Sequence, residues 1–175
     1  GQLWQLTRDL GRLGFDTLLL LPSPQQTELD PAAEKKQKTM DAFRQQFAER
    51  IVKLSDAKLQ EGGFKLLLAQ GTSAAWAANL IASEQLPAPD ALVLLDGFFP
   101  NQLSNQTLAK QIAQGSIPTL DLYQEEGGRW PLLAAEARRS EGRRSHKLNY
   151  RPYALMELDE TPGRIQGWLT HLGWI

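Results

Sequence analysis

Five short apolar runs alternate with longer segments of helical periodicity, and this alternation constrains the fold more than any other feature of the chain. The runs predict strands at residues 17–21, 64–69, 91–95, 117–123 and 153–158. Unbroken apolar runs of this length are typical of strands buried on both faces, as in parallel sheets. Strands that alternate with helices also imply right-handed crossovers and helices on both faces of the sheet. The sequence therefore predicts an α/β fold, a three-layer sandwich around a mainly parallel sheet of about five strands.

The segments between the runs have helical patterns. Leucines recur at helical spacing over residues 3–13, and Gly14 follows as a stop. The longest predicted helix covers residues 30–60, with a cap and first-turn proline at Asp30-Pro31, after a predicted loop at 23–29. Its apolar face consists of Met40, Phe43, Phe47, Ile51 and Leu54. It ends at a glycine pair, Gly62-Gly63. Further helices are predicted at 74–83, 106–114, 131–147 and from 162 onward.

Composition limits the classes of function. A chain of 175 residues with 42% hydrophobic residues suits one domain, residues 1–175. The net charge of −1 gives no general attraction to nucleic acid, and the absence of cysteine excludes disulfides and thiolate ligands. The sequence has no metal-ligand spacing, no phosphate-binding glycine motif and no apolar run of the ~20 residues that span a bilayer. It therefore predicts no metal, no cofactor, no nucleic-acid partner and no membrane span.

The segment that carries most chemical information joins the second strand to the next helix. A strand that turns sharply into a helix of small residues is the layout of the G-x-S-x-G nucleophile elbow. Here the five positions read Ala69, Gln70, Gly71, Thr72 and Ser73, so that glycine occupies the nucleophile position. Three interpretations stay open: a structural turn, a pocket that binds without covalent chemistry, and a shifted register in which Thr72 or Ser73 is the nucleophile. The predicted ligand-binding residues are Gln70, Gly71, Thr72 and, after the third strand, Asp96.

The sequence offers few candidates for the acid and the base of a catalytic triad. The acid of such a triad is expected after the fourth strand, where Glu125 and Glu126 lie. The base is expected between the last strand and the last helix, and no histidine lies there. His146 and His171 are the two histidines of the chain, and only His146 is kept as a weak candidate. The sequence therefore favours a protein without catalysis over an ester hydrolase.

A basic segment near residues 138–151 is the other candidate site. Arginine binds carboxylate and phosphate groups through two parallel hydrogen bonds. The segment is interpreted either as a solvated helix face or as a partner-binding patch. The residues predicted for that patch are Arg138, Arg139, Arg143 and Arg144.

Several segments together resemble one known family. They are Gly-Phe-Asp-Thr-Leu at 14–18, the elbow at 69–74, the strand ending in Asp96, Ala-Arg-Arg at 137–139 with Tyr-Arg at 150–151, and Arg-Ile-Gln-Gly-Trp-Leu at 164–169. The chain is similar here to a proteobacterial family of unknown function assigned to the α/β-hydrolase superfamily. The resemblance implies a hydrolase-like fold in which glycine replaces the nucleophile. It also implies a periplasmic location, with the cytoplasm as the alternative.

The hydrolase fold places a further strand between the first two strands of this chain, so the resemblance implies a truncated domain that lacks N-terminal strands. Two arrangements follow. Either residues 17–21 and 64–69 pair directly in parallel, or a gap between them is filled by another polypeptide.

Three hypotheses of function remain. The favoured one is a non-catalytic protein that binds a small ligand or a partner at the carboxyl ends of its strands. The second is a serine-type esterase with a displaced nucleophile. The third is an interaction module that acts through the basic segment.

Overall fold

The computed structural model of the chain describes residues 1–22, 31, 37–58 and 63–175. The predictions of a loop at 23–29, a helix cap at Asp30 and a break at Gly62 fall outside these residues.

The described residues form one parallel sheet with helices on both faces, which confirms the predicted α/β sandwich. The sheet has five strands in the order β1-β2-β3-β4-β5, and every neighbouring pair is parallel. The strands are β1 (Phe15–Leu20), β2 (Phe64–Gln70), β3 (Ala91–Leu95), β4 (Thr119–Gln124) and β5 (Tyr150–Leu155). The helices are α1 (Gln2–Arg12), α2 (Gln37–Lys58), α3 (Gly71–Ala82), α4 (Gln102–Gln114), α5 (Arg129–Arg144) and α6 (Thr161–His171).

The strand order explains how the helices are divided between the two faces. Consecutive strands are neighbours and the order never reverses, so right-handed crossovers place α2 to α5 on the same face. One apolar core lies there, between side chains of α2, α3 and α4 and one side of β1 to β3. Helices α1 and α6 cover the other face, where a second core includes Leu6, Leu122 and Trp168. Both faces of the sheet are thus buried, as the unbroken apolar runs predict.

Strands β1 and β2 pair directly. Their register runs from Phe15 opposite Phe64 to Leu20 opposite Ala69 without interruption. This is the first of the two arrangements that the sequence left open. In the described structure no other strand lies between them.

Several predicted boundaries are wrong by a few residues, and local hydrogen bonds explain two of them. Strand β5 covers Tyr150–Leu155 and not 153–158, because Leu158–Glu160 form a 3₁₀ turn closed by a capping box. Helix α4 begins at Gln102 and not at 106, because the Asn101 side chain accepts a hydrogen bond from the Ser104 amide at 3.0 Å. Helices α3 and α5 each begin before their predicted starts, at Gly71 and Arg129.

No helix in the described ranges is both long and apolar enough to cross a bilayer.

Two helical glycines differ in the space around them, which gives a first prediction. A Cβ on Gly167, inside α6, would meet no atom within 4 Å, so Gly167→Ala is expected to stabilise the fold by about 0.5–1 kcal/mol. A Cβ on Gly142, inside α5, would lie 2.8 Å from Cδ1 of Tyr150, so Gly142→Ala is expected to destabilise it. Urea unfolding of both variants measures the two changes. If both variants changed the free energy of unfolding by the same amount in the same direction, the difference in space around the two glycines would be contradicted.

Candidate functional site

The elbow pattern lies where β2 passes directly into α3. Gly71 is the first residue of α3 and has a φ of +61°, the left-handed conformation that favours glycine. A Cβ at this position would lie 3.3 Å from Cγ of Pro22 and 4.0 Å from Cε1 of Phe98. The Gly71 carbonyl also accepts a 3.4 Å hydrogen bond from the Phe98 amide. The nucleophile position of an elbow is therefore occupied by bare backbone, with Pro22 and Phe98 close against it.

Neither hydroxyl beside Gly71 is presented to solvent. Ser73 has no exposed surface, and its Oγ donates a 3.1 Å hydrogen bond to the carbonyl of Leu21. Thr72 is 1% exposed, and its Oγ1 has no hydrogen-bond partner among the described residues. A displaced nucleophile would thus have to break a hydrogen bond or leave a buried position.

The N-terminus of α3 adds polar groups to this place. Gln70 is the cap residue, and its side chain makes no capping hydrogen bond. The first amides of a helix have no partner within the helix and attract oxygen acceptors. The amides of the first turn of α3 and the buried Thr72 hydroxyl are therefore each candidate donors for an oxygen acceptor.

Asp96 has a structural explanation for its position. It follows β3 with a φ of +49°, and it is 8% exposed. Its Oδ1 accepts a 2.8 Å hydrogen bond from the amide of Gln124, and its Oδ2 accepts one of 2.5 Å from Gln124 Nε2. Asp96 thus joins the carboxyl ends of β3 and β4, and both of its oxygens are engaged within the protein.

The triad candidates do not come together. Glu125 and Glu126 are exposed in the turn after β4, at the carboxyl edge of the sheet. His146 is exposed between the end of α5 and the start of β5, at the amino edge. The structure therefore places His146 on the edge opposite Ser73, where it cannot act as its base. His171, the last residue of α6, is on the far face of the sheet from α3.

Arg138, predicted as part of the partner-binding patch, has a buried side chain. It is 2% exposed, and its Nε and Nη2 donate hydrogen bonds of 2.7 and 3.1 Å to the two oxygens of Asp121. Its Nη1 donates to the carbonyl of Gly97 at 2.8 Å. The hydrogen bonds of Arg138 thus link α5 to β4 and to the loop after β3.

Tyr150 completes this buried group. Its hydroxyl donates a hydrogen bond to Oδ2 of Asp121. Burial, together with the negative charge of Asp121, raises the pKa of Tyr150 far above its usual range, so the phenol stays neutral. A single aspartate inside the apolar run of β4 was the sequence signal for this group, and the sequence reasoning missed it.

The other arginines of the basic segment are placed differently. Arg139 lies over the ring of Tyr123 at 4.8 Å, while Arg143 and Arg144 are exposed near the end of α5. Arg144 also lies 3.2 Å from Glu141. Only Arg143 and Arg144 are thus presented as the predicted patch requires.

In the part of the chain that the structure describes, no three His, Asp or Glu side chains are grouped so as to hold a metal ion.

The backbone of Gly71 supports a second prediction. Gly71→Ser is expected to fold with a loss of about 1–3 kcal/mol, because a side chain in the left-handed region is strained and its Cβ would press on Pro22. It is also expected to hydrolyse no p-nitrophenyl ester, because no histidine lies at this edge. Gly163→Ser is the control, since a Cβ there meets no atom within 4 Å. Efficient ester hydrolysis by Gly71→Ser would show that a base has been overlooked.

A family model described as "Protein of unknown function (DUF3530)" matches residues 21–174. No curated protein matches the chain. No solved structure matches it either.

Proposed function

Since the chain belongs to the DUF3530 family, whose function is unknown, we propose from its own geometry that it is a non-catalytic, hydrolase-like binding protein. Its ligand, or a segment of a partner, docks at the carboxyl ends of the strands, against the N-terminus of α3.

The observation that carries the proposal is the state of Thr72. A buried hydroxyl without a hydrogen bond costs free energy. Thr17 and Thr161 also have a buried hydroxyl without a partner among the described residues, and Thr72 differs from them in following Gly71 at the start of α3. Thr72 lies in the first turn of α3, directly after a glycine that places no side chain there. A ligand oxygen bound at this turn would accept hydrogen bonds from its amides and, because Thr72 is 1% exposed, would reach the hydroxyl only after the turn opens.

The surroundings indicate which acceptor fits. The partial positive charge of a helix N-terminus attracts a carbonyl or carboxylate oxygen. Asp96, at the end of the strand next to β2, carries a negative charge at the same edge of the sheet. The ligand is therefore a small carbonyl compound, an amide or ester, rather than a multiply charged anion.

The same residues support the proposed absence of catalysis. A covalent mechanism needs a nucleophile, a base within hydrogen-bond reach and a group that orients the base. At this edge the structure places a glycine, a serine bonded to the Leu21 carbonyl and a threonine that is 1% exposed. No histidine accompanies them, because both histidines of the chain lie elsewhere.

An NMR titration with N-methylacetamide tests the proposal. The amide signals of Gly71, Thr72 and Ser73 are expected to shift, and Thr72→Val is expected to weaken binding by about threefold to tenfold, the value of one neutral hydrogen bond. Thr72→Val removes no hydrogen bond among the described residues, so stability should not fall.

Thr161→Val is the matched control. Thr161 is also 1% exposed, its hydroxyl also has no partner among the described residues, and it also begins a helix, on the other face of the sheet. Thr161→Val should leave the N-methylacetamide titration unchanged. Titrations without shifts at Gly71–Ser73, or equal effects of the two valine variants, would contradict the proposal.

A further inference from the structure

We propose that a cleft between α6 and β5 is a second binding site, for a small anion with a carboxylate or phosphoryl group. The cleft has a volume of about 210 Å³ and lies on the face of the sheet opposite α3. It is therefore separate from the site at Gly71, and either proposal can fail without the other.

Two arginines and a histidine line this cleft. Arg151 comes from β5, while Arg164 and His171 come from α6. Among the described residues, no acidic side chain lines the cleft. The Glu160–Arg164 ion pair offsets part of the repulsion between the charges of the two arginines, and a bound anion would offset more of it. Arg151 makes no ion pair with a described carboxylate, so its charge is available to a ligand.

Arg164 is held in place before any ligand arrives. Its guanidinium lies 3.9 Å from the centre of the Tyr153 ring, and its Nη2 lies 3.5 Å from Oε1 of Glu160. Glu160 is itself fixed, because its Oε2 accepts hydrogen bonds from the amides of Met156 at 2.6 Å and Glu157 at 3.0 Å. These backbone hydrogen bonds lower the pKa of Glu160, which keeps it ionised as the partner of Arg164. An arginine fixed in this way loses less side-chain entropy when it binds an anion.

The remaining walls provide an apolar floor and open space. Leu120 and Trp168 are 2% and 7% exposed and form part of the lining. Apolar walls strengthen charge–charge attraction, because they exclude water. Gly163 and Gly167 also line the cleft, and a Cβ on either would meet no atom within 4 Å. The absence of side chains at these two positions leaves room for a ligand beside α6.

Calorimetric titration with inorganic phosphate and with malonate, at constant ionic strength set by chloride, tests the inference. At least one of the two anions is expected to bind, and to raise the melting temperature. Arg151→Gln and Arg164→Gln are each expected to weaken that binding by about tenfold or more, because each removes a charge-assisted hydrogen bond. Binding of phosphate alone identifies a phosphoryl ligand, and binding of malonate alone identifies a carboxylate ligand.

Arg143→Gln is the matched control, since Arg143 is an exposed arginine of α5 away from the cleft. It should leave the affinity unchanged. Without anion, Arg151→Gln should keep or raise the melting temperature, because it relieves charge repulsion. A weaker affinity with an unchanged or higher melting temperature would therefore reflect a lost ligand contact and not a damaged fold. The inference would be overturned if neither anion binds, or if Arg143→Gln loses as much anion affinity as Arg151→Gln and Arg164→Gln.

Discussion

Arg138→Met is expected to destabilise the fold by about 3–5 kcal/mol, the usual cost of removing one partner from a buried ion pair. Asp121 has no exposed surface, and among the described residues it would be left with only the Tyr150 hydroxyl as a side-chain partner. The carbonyl of Gly97 would also lose its 2.8 Å hydrogen bond from Arg138. Urea unfolding followed by far-UV circular dichroism measures the loss.

Two further variants show whether the charge is the cause. Arg143→Met removes an exposed arginine from the same helix and should change stability by no more than about 0.5 kcal/mol. Arg138→Met combined with Asp121→Leu and Tyr150→Phe removes the whole polar group, and it should be more stable than Arg138→Met alone. A stability of Arg138→Met equal to that of the wild type would contradict a stabilising role of the buried ion pair between Arg138 and Asp121.

Trp76→Ala is expected to lower the free energy of unfolding by about 3–5 kcal/mol as well, because it leaves a cavity in the core and not because it exposes a charge. Trp76 has no exposed surface and is the largest fully buried side chain. Its ring contacts Phe43 of α2 and Phe99 of the loop after β3, edge to face, with centroids 5.0 and 5.1 Å apart. The cavity would therefore open where α2, α3 and that loop meet.

The same unfolding experiment provides the controls for Trp76. Trp76→Phe should lose much less than Trp76→Ala, because the indole nitrogen has no hydrogen-bond partner among the described residues. Trp4→Ala should lose less than about 1 kcal/mol, since Trp4 is 50% exposed. Equal losses from Trp4→Ala and Trp76→Ala would contradict the core that the structure shows.

The apolar runs predicted the fold class because each of the inner strands is buried on both faces. The prediction was weakest for β5, which contains Arg151 and Pro152 and lies at an edge of the sheet. An edge strand tolerates charge and proline, since one of its sides makes no ladder hydrogen bonds. Its hydrophobic signal was therefore shifted towards Tyr153 and Leu155.

The candidate site could be predicted only in part. The sequence of small residues after β2 predicted the left-handed glycine, because few other residues adopt that conformation. The burial of Arg138 could not be predicted from α5 alone. Its neighbour Arg139 has the same chemistry, and only the position of Asp121 on the facing strand distinguishes the two. The cleft beside α6 depends on residues of β5 and α6 that are adjacent only after folding.

Ester hydrolysis most directly tests the central proposal, which is a hydrolase-like site without catalysis. The unmodified protein, assayed with a panel of p-nitrophenyl esters of increasing chain length, is expected to give no turnover above the rate in buffer. Ser73→Ala and Thr72→Val provide the comparison, because they remove the only two hydroxyls of the elbow segment at residues 69–74. Turnover by the unmodified protein that disappears in either variant would contradict the claim and would identify the displaced nucleophile.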